Sequence, residues 1–549
     1  MKYRRRIVWL LLISFLGFSC LAVRLASLQL RQHARYAWAA FSQQTFTVSL
    51  EEYPRGRIVD RHGRVLAGGR EEKRIVFFAS LLPDRREAAR QLSALLGKPV
   101  EELERELRKE AGVLPYSLTP EQEAAVKSLN LPGLFVLPYW TRYSSPPLAA
   151  HVVGYVGKVS SPEERRRSRG EWVGKQGCEY FYDAVLQGSF PSLAAGIYRD
   201  AQGKLLNRTG VELFTVADPE RGEVQLTLDS ELQRKVEEVL DKHRFRGAVV
   251  VLEVGKGDLL AVASRPTFDP AHPEKQGPDV SFFDRAFASY PPGSVFKMVV
   301  AAAALEEGVV RPEESFCCRG VEGPLLPCWK KEGHGHLTFR QAFARSCNPV
   351  FAQVGLRLGK EKLIRYCREL YLHERSVIGY PMPADPWQNP KNLMEPYSLV
   401  NLSVGQGPLL LTPVQVASVL NTLLNDGVYV RPRLVKGIRQ QGKMTELPPD
   451  KGKRIFSPTV AREVRDMMAL AVQEGTARLG YIPEVGSGGK TGTAELPGGK
   501  RCSWFAGFFP LESPRYVVVV MEEGGRGGGE DAAPLFREIG EALALPSVY

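Results

Sequence analysis

Ser294 and Lys297 stand three residues apart in Pro291-Pro292-Gly293-Ser294-Val295-Phe296-Lys297. On a helix that spacing puts both side chains on one face, one turn apart. A serine hydroxyl is a poor nucleophile until a base takes its proton. A lysine set among Val295, Met298 and the alanines that follow loses hydration, which lowers its pKa and favours the free amine. N–H groups at a helix start can also stabilise an oxyanion. Ser-x-x-Lys alone arises by chance about once or twice in a chain of this size, so its companions decide what it means.

Two companions follow. Ser346-Cys347-Asn348 comes after Phe339 to Arg345, and Lys490-Thr491-Gly492-Thr493 comes after the glycine-rich run 486–489. Separately they read as a helix cap and a glycine-edged strand. Together with Ser294 and Lys297 they make a site. Ser346 can relay a proton and Asn348 can hold a substrate amide. Lys490 and Thr491 can grip a carboxylate. Gly492 lets substrate lie along the strand edge, and the Thr493 N–H can complete an oxyanion hole.

These groups need elements to hold them. Met298 to Leu305 is built of helix formers and is apolar on all sides, so it is predicted as a buried helix with Gly308 at its C-terminal stop. The two prolines break the chain before it, which puts Ser294 in the first helical turn. Residues 247–254 and 259–264 read as two strands joined at Gly255-Lys-Gly-Asp258, and 504–509 with 516–521 as two more. Asp229-Ser230 caps an amphipathic helix through Leu240. Hairpins at both ends with helices between predict an α+β fold, an antiparallel sheet backed by helices with the serine at their interface. Residues 440–453 and 524–529 read as flexible loops. Upstream, Asp84 and Pro99 start two scaffold helices, and 47–220 offers no paired catalytic groups.

At 549 residues the chain holds more than one domain. Its net charge of +12 suits a polyanionic neighbour. No zinc-finger, RNP or basic-region helix pattern is present, so anionic lipid or cell-wall polymer fits better than nucleic acid. Lys2 to Arg6 is basic, and Ile7 to Val23 carries no charge. Leu25, Leu28 and Leu30 extend the apolar stripe past Arg24. We read this as an uncleaved single-pass anchor with its N-terminus in the cytoplasm and the rest outside the plasma membrane. The expected organisation is a cytoplasmic tail over 1–6, an anchor over 7–30, a non-catalytic pedestal over 31–221 and a catalytic domain over 222–549.

In this order Ser-x-x-Lys, Ser-x-Asn and Lys-Thr-Gly resemble the motifs of the penicillin-recognising serine acyltransferases. Further details are similar to the class B, monofunctional penicillin-binding proteins. They are Pro54-Arg55-Gly56 with Asp60-Arg61, Gly177-x-Glu179, Leu226 to Asp229, Ser403-Val-Gly-Gln-Gly407 with Thr412-Pro413, and Trp504 to Gly507. The resemblance implies a peptidoglycan D,D-transpeptidase acting in two acyl transfers. Ser294 attacks between the terminal D-alanines of a donor stem peptide, with Lys297 as base, and an amine on a second stem then resolves the acyl-enzyme. It implies inhibition by β-lactams, and a membrane partner that polymerises glycan, of the shape, elongation, division and sporulation (SEDS) type. Catalysis needs no cofactor on this reading. The rival readings are a β-lactamase or D,D-carboxypeptidase, and a non-catalytic scaffold or penicillin sensor.

Eight cysteines in an extracytoplasmic chain invite a disulfide or a metal. The informative set is Cys317, Cys318, Cys328, His334 and Cys347. Cys317, Cys328, His334 and Cys347 could hold a structural zinc, since three thiolates and an imidazole close a tetrahedral shell. Cys317 or Cys318 could instead form a disulfide with Cys328, or the thiols could be free.

Overall fold

The computed structural model describes residues 2–168, 170–206, 210–275, 282–322, 325–382 and 399–544. It is a mixed helix and sheet structure led by a long apolar helix. Lys2–Ala26 is α-helical and passes through a wider turn at Ser27–Arg31 into a second helix, His33–Gln44. The stretch Tyr3–Leu30 is long and apolar enough to cross a membrane, and none of its most apolar window is buried by the protein. The second helix lays Trp38 and Phe41 on Phe190 and Phe214 of the pedestal, with ring centroids 5.2–6.1 Å apart.

The pedestal's main sheet has seven strands and does not stop at the expected domain boundary. Glu223–Leu226 lies beside Ile58–Val59 of the pedestal on one side and Val435–Gln440 of the C-terminal half on the other. Val435–Gln440 folds back on Lys443–Glu446 through Gln441-Gly442, both at positive φ. This hairpin occupies the first part of the loop expected over 440–453, while residues 447–452 run without regular structure as expected. Glutamine rarely adopts a left-handed conformation, so the turn is weakly marked in sequence.

Motif residues of the pedestal form its buried joints. Glu179 is fully buried and accepts from Arg55 Nε at 3.0 Å and Arg142 Nε at 2.6 Å, while Asp183 lies 2.8 Å from the Arg55 guanidinium. Asp60 accepts from the backbone N–H groups of His62 and Arg64 and, at 2.7 Å, from the hydroxyl of Ser230. Ser230 opens the helix Ser230–Asp241 of the C-terminal half, whose N-cap is Asp229 as expected. Arg61 reaches Glu253 at 3.0 Å. The basic hairpin around residue 60 therefore clamps the pedestal to its neighbour.

The C-terminal half is centred on a five-stranded antiparallel sheet. Its order is Leu259–Arg265, Gly247–Glu253, Tyr516–Glu523, Arg501–Phe509, Gly488–Glu495. Gly247–Glu253 and Tyr516–Glu523 are nearly continuous apolar, valine-rich runs because both faces are covered. Val249 and Val251 pack with Val236 and Leu240 of the Asp229-capped helix and with Phe536 and Ile539 of the C-terminal helix Ala533–Ala544. Ala248, Val250 and Leu252 face the opposite, helical layer. The serine helix, Lys297–Glu306, sits inside that layer, and Lys297 to Ala304 are all buried. Val309 N–H bonds Ala304 O and Gly308 N–H bonds Leu305 O, with Gly308 at φ +64°, which closes the helix as expected.

Candidate active site

Ser294 stands on a 3-10 turn, Gly293–Phe296, that leads into the α-helix beginning at Lys297. The sequence reading put Ser294 in the first turn of the α-helix, whereas here the α-helix starts three residues later, at Lys297. Close packing explains the tighter turn. Gly293 is at φ +54°, its N–H bonds Gly405 O at 2.9 Å, and a Cβ there would meet Thr493 O at 2.6 Å. Within the turn Gly293, Val295 and Phe296 are buried and Ser294 is half-buried. The serine is thus the residue of the four with access to solvent.

Lys297 is fully buried. Its Nζ donates to Asn348 Oδ1 at 2.7 Å, to Ser346 O at 2.9 Å and to Ser346 Oγ at 3.3 Å. Lys490 is also fully buried, and its Nζ donates to the same Ser346 Oγ at 2.9 Å and to Thr491 O at 2.9 Å. Two lysines thus share one hydroxyl. Among the described residues, no carboxylate is a bonded partner of either amine. Burial away from water brings Lys297 down to about 7. Burial, and then the proximity of Lys297, holds Lys490 well below the usual lysine range. Ser346 is held for this task at φ +53°, a strained conformation for a residue with a side chain. It sits between the helix Phe339–Ala344 and the helix Asn348–Leu358.

The Lys-Thr-Gly residues lie on Gly488–Glu495, the edge strand of the five-stranded sheet. An edge leaves backbone N–H and C=O groups on its outer side without strand partners. Thr493 is exposed there, and its hydroxyl accepts from Gly528 N–H at 3.2 Å. Gly492 is pressed from both faces. A Cβ on it would meet Pro292 O and Val295 Cγ1 at 3.0 Å, and a Cβ on Gly528 would reach Gly492 O at 2.4 Å. The run 524–529, expected as a loose loop, is therefore held against the site strand. Small residues at Gly492 and Gly528 let the serine turn and that loop approach.

Cysteines sit directly behind this site. The ligand atoms of Cys318, Cys328, His334 and Cys347 all lie within 4.8 Å of one another. Cys317 is not in the set, which corrects the sequence reading. On the strand Ser315–Cys318 side chains alternate, so Phe316 and Cys318 are buried while Ser315 and Cys317 are exposed. Every described cysteine is a free thiol, so neither Cys317 nor Cys318 is bonded to Cys328. Cys328 Sγ is 3.4 Å from His334 Nδ1. A hydrogen bond from the Cys347 thiol brings Cys328 down to about 5 and pushes Cys347 up. Burial keeps His334 below the usual histidine value, in its neutral form. A tetrahedral zinc with Zn–S bonds of about 2.3 Å needs ligand atoms roughly 3.8 Å apart, and these four residues fit that spacing. Cys347 is the middle residue of Ser346-x-Asn348, so anything bound to it bears on the site.

Two site residues were missed by sequence reasoning. Gly405, in the Ser403–Gly407 motif, backs the serine turn so closely that a Cβ would lie 1.9 Å from Gly293 O. Thr476 touches Thr491, with the hydroxyl oxygens 2.7 Å apart. It follows a helix end in an unremarkable Glu-Gly-Thr-Ala stretch, which carries no recognisable signal.

Residues 247–541 match the penicillin binding protein transpeptidase domain, and residues 51–223 match the penicillin-binding protein dimerisation domain. Stage V sporulation protein D of Bacillus subtilis is 29% identical over 571 residues, covering 98% of this chain and 85% of that protein. The peptidoglycan D,D-transpeptidase MrdA of Haemophilus influenzae is 28% identical over 566 residues, covering 88% and 83%. A chain solved in work on the coordination of polymerization and crosslinking by a peptidoglycan synthase complex superimposes with a TM-score of 0.71. It is 28% identical and is covered, like this chain, over 99% of its length.

Proposed function

Because the chain belongs to the penicillin-binding protein transpeptidase family, we propose that it is a serine-type D,D-transpeptidase that cross-links peptidoglycan stem peptides. The observation that carries this reading is the meeting of Lys297 Nζ and Lys490 Nζ on Ser346 Oγ, with Lys297 three residues after Ser294 in the chain. A buried amine near pKa 7 is free of its proton often enough at neutral pH to serve as a base.

Ser294 Oγ bonds to the carbonyl carbon between the two terminal D-alanines of the donor, and its proton passes to Lys297. The C–N bond breaks and the proton travels through Ser346 to the leaving nitrogen, so D-alanine departs with a neutral amine and its carboxylate. An amine of a second stem then attacks the ester. It gives its proton back along the same path, and Ser294 recovers its hydroxyl. Asn348 holds the donor's amide, and Lys490 and Thr491 receive its carboxylate. The donor backbone adds to the open edge at Gly492 and Thr493, and the Thr493 N–H faces the oxyanion.

The test is Ser294→Ala. We expect it to abolish labelling by a fluorescent penicillin and D-alanine release, with an unchanged melting temperature. Persistent labelling would rule out Ser294, and penicillin turnover in seconds by the unsubstituted chain would mark a hydrolase instead.

Three further assignments belong to this reading. The chain is held by residues 7–30, within the apolar helix Tyr3–Leu30, with residues 1–6 in the cytoplasm and the catalytic half outside. Its membrane partner is a SEDS-type glycan polymerase; the similarity to a chain from a peptidoglycan synthase complex supports this. Cys318, Cys328, His334 and Cys347 hold a structural zinc, which when bound would brace the Ser346–Asn348 segment.

A further inference from the structure

Thr476 joins the two walls of the cleft. Its backbone N–H donates to Ala344 O at 3.1 Å, two residues before Ser346, and its hydroxyl meets the Thr491 hydroxyl at 2.7 Å. Its position is tightly determined. A Cβ on Gly475 would lie 2.1 Å from the same Ala344 O and 2.8 Å from Ala471 Cα. On the other side a Cβ on Gly529 would come within 2.9 Å of Thr476 O. The residue is thus wedged between the Ser346 wall, the Lys-Thr-Gly strand and the glycine-rich loop.

We infer that Thr476 is a positioning residue that turns the Thr491 hydroxyl proton toward the carboxylate of the donor, and so sets the preference for acid-ended substrates. This rests on the transpeptidase reading of the site. A threonine hydroxyl has one proton to give. A carboxylate only accepts, so Thr491 serves it only with its own proton free. When Thr476 donates into Thr491 Oγ1, that proton is released toward the cleft, and each bond of the chain strengthens the next. Thr491 is buried, so water is a poor replacement partner.

The experiment compares acylation of the full-length protein by benzylpenicillin and by its methyl ester, which lacks the charged acceptor. Loss of one hydrogen bond to a charged group predicts that Thr476→Val lowers the acid-to-ester ratio of acylation rates about tenfold. Thr476→Ser, which restores the hydroxyl, is expected to recover the ratio. Thr491→Val is expected to lower it as much, and the double variant no further. Equal loss with both compounds, or failure of the serine variant to recover discrimination, would overturn the proposal as a packing effect. Should the valine variant not fold, the ratio measured in Thr476→Ala and Thr476→Ser decides in the same way. An unsubstituted protein that neither compound acylates would overturn the transpeptidase reading instead.

Discussion

At the scale of single residues the site runs on desolvation. Lys297 gives its protons to three neutral oxygens, and burial away from water outweighs the pull of the nearby cysteine sulfurs, which favours its charged form. Its free amine is therefore the majority form above about pH 7 and is lost as the pH falls through that value. The sign is that of a cation disfavoured by burial. We expect the second-order rate of penicillin acylation to drop about tenfold for each pH unit below 7 and to level off above it. A profile flat down to pH 5.5 would show that Lys297 is not the base. Ser294, Lys297, Ser346, Asn348 and Lys490 were all legible as motif residues. Thr476 was not, because its role depends on one through-space contact.

At the scale of elements, alternation along a strand outweighed proximity in sequence. Cys317 and Cys318 are equivalent by spacing to Cys328, and only the direction of the pleat chose Cys318. The short ladder Ser315–Cys318 with Gly335–Thr338 then brings His334 round to meet it. We expect purified protein to carry about one zinc per chain, as a closed Cys3His shell would. Cys318→Ser should lose the metal and lower the melting temperature, while Cys317→Ser should keep it. Metal-free protein of full stability, or equal loss in both variants, would refute the site.

At the scale of the whole molecule the two halves share a sheet. Glu223–Leu226 pairs with strands from both, and Asp60 bridges the pedestal hairpin to the helix at Ser230. We expect one cooperative thermal transition, in which penicillin binding and far-UV circular dichroism are lost together. Glu179 is the buried anion that two pedestal arginines depend on. Glu179→Gln should lower the stability of that shared transition by about 3–5 kcal/mol, since it leaves buried guanidinium charge poorly matched. Two separate transitions in the variant would show that the shared sheet does not couple the halves.

Local properties of the chain were enough to read the anchor, the buried serine helix, the capped helices and the valine-rich strands. Each follows from composition and periodicity over a few neighbouring residues. The motifs also named most of the site, because the chemistry needs particular side chains in a particular order. Tertiary structure decided the rest: the 3-10 turn under Ser294, the choice of Cys318, the pinned loop 524–529, the hairpin over 435–446 and the contact of Thr476. All of these are set by which backbones approach one another within a few ångströms. That depends on packing between segments far apart in the chain, and local pattern carries no record of it.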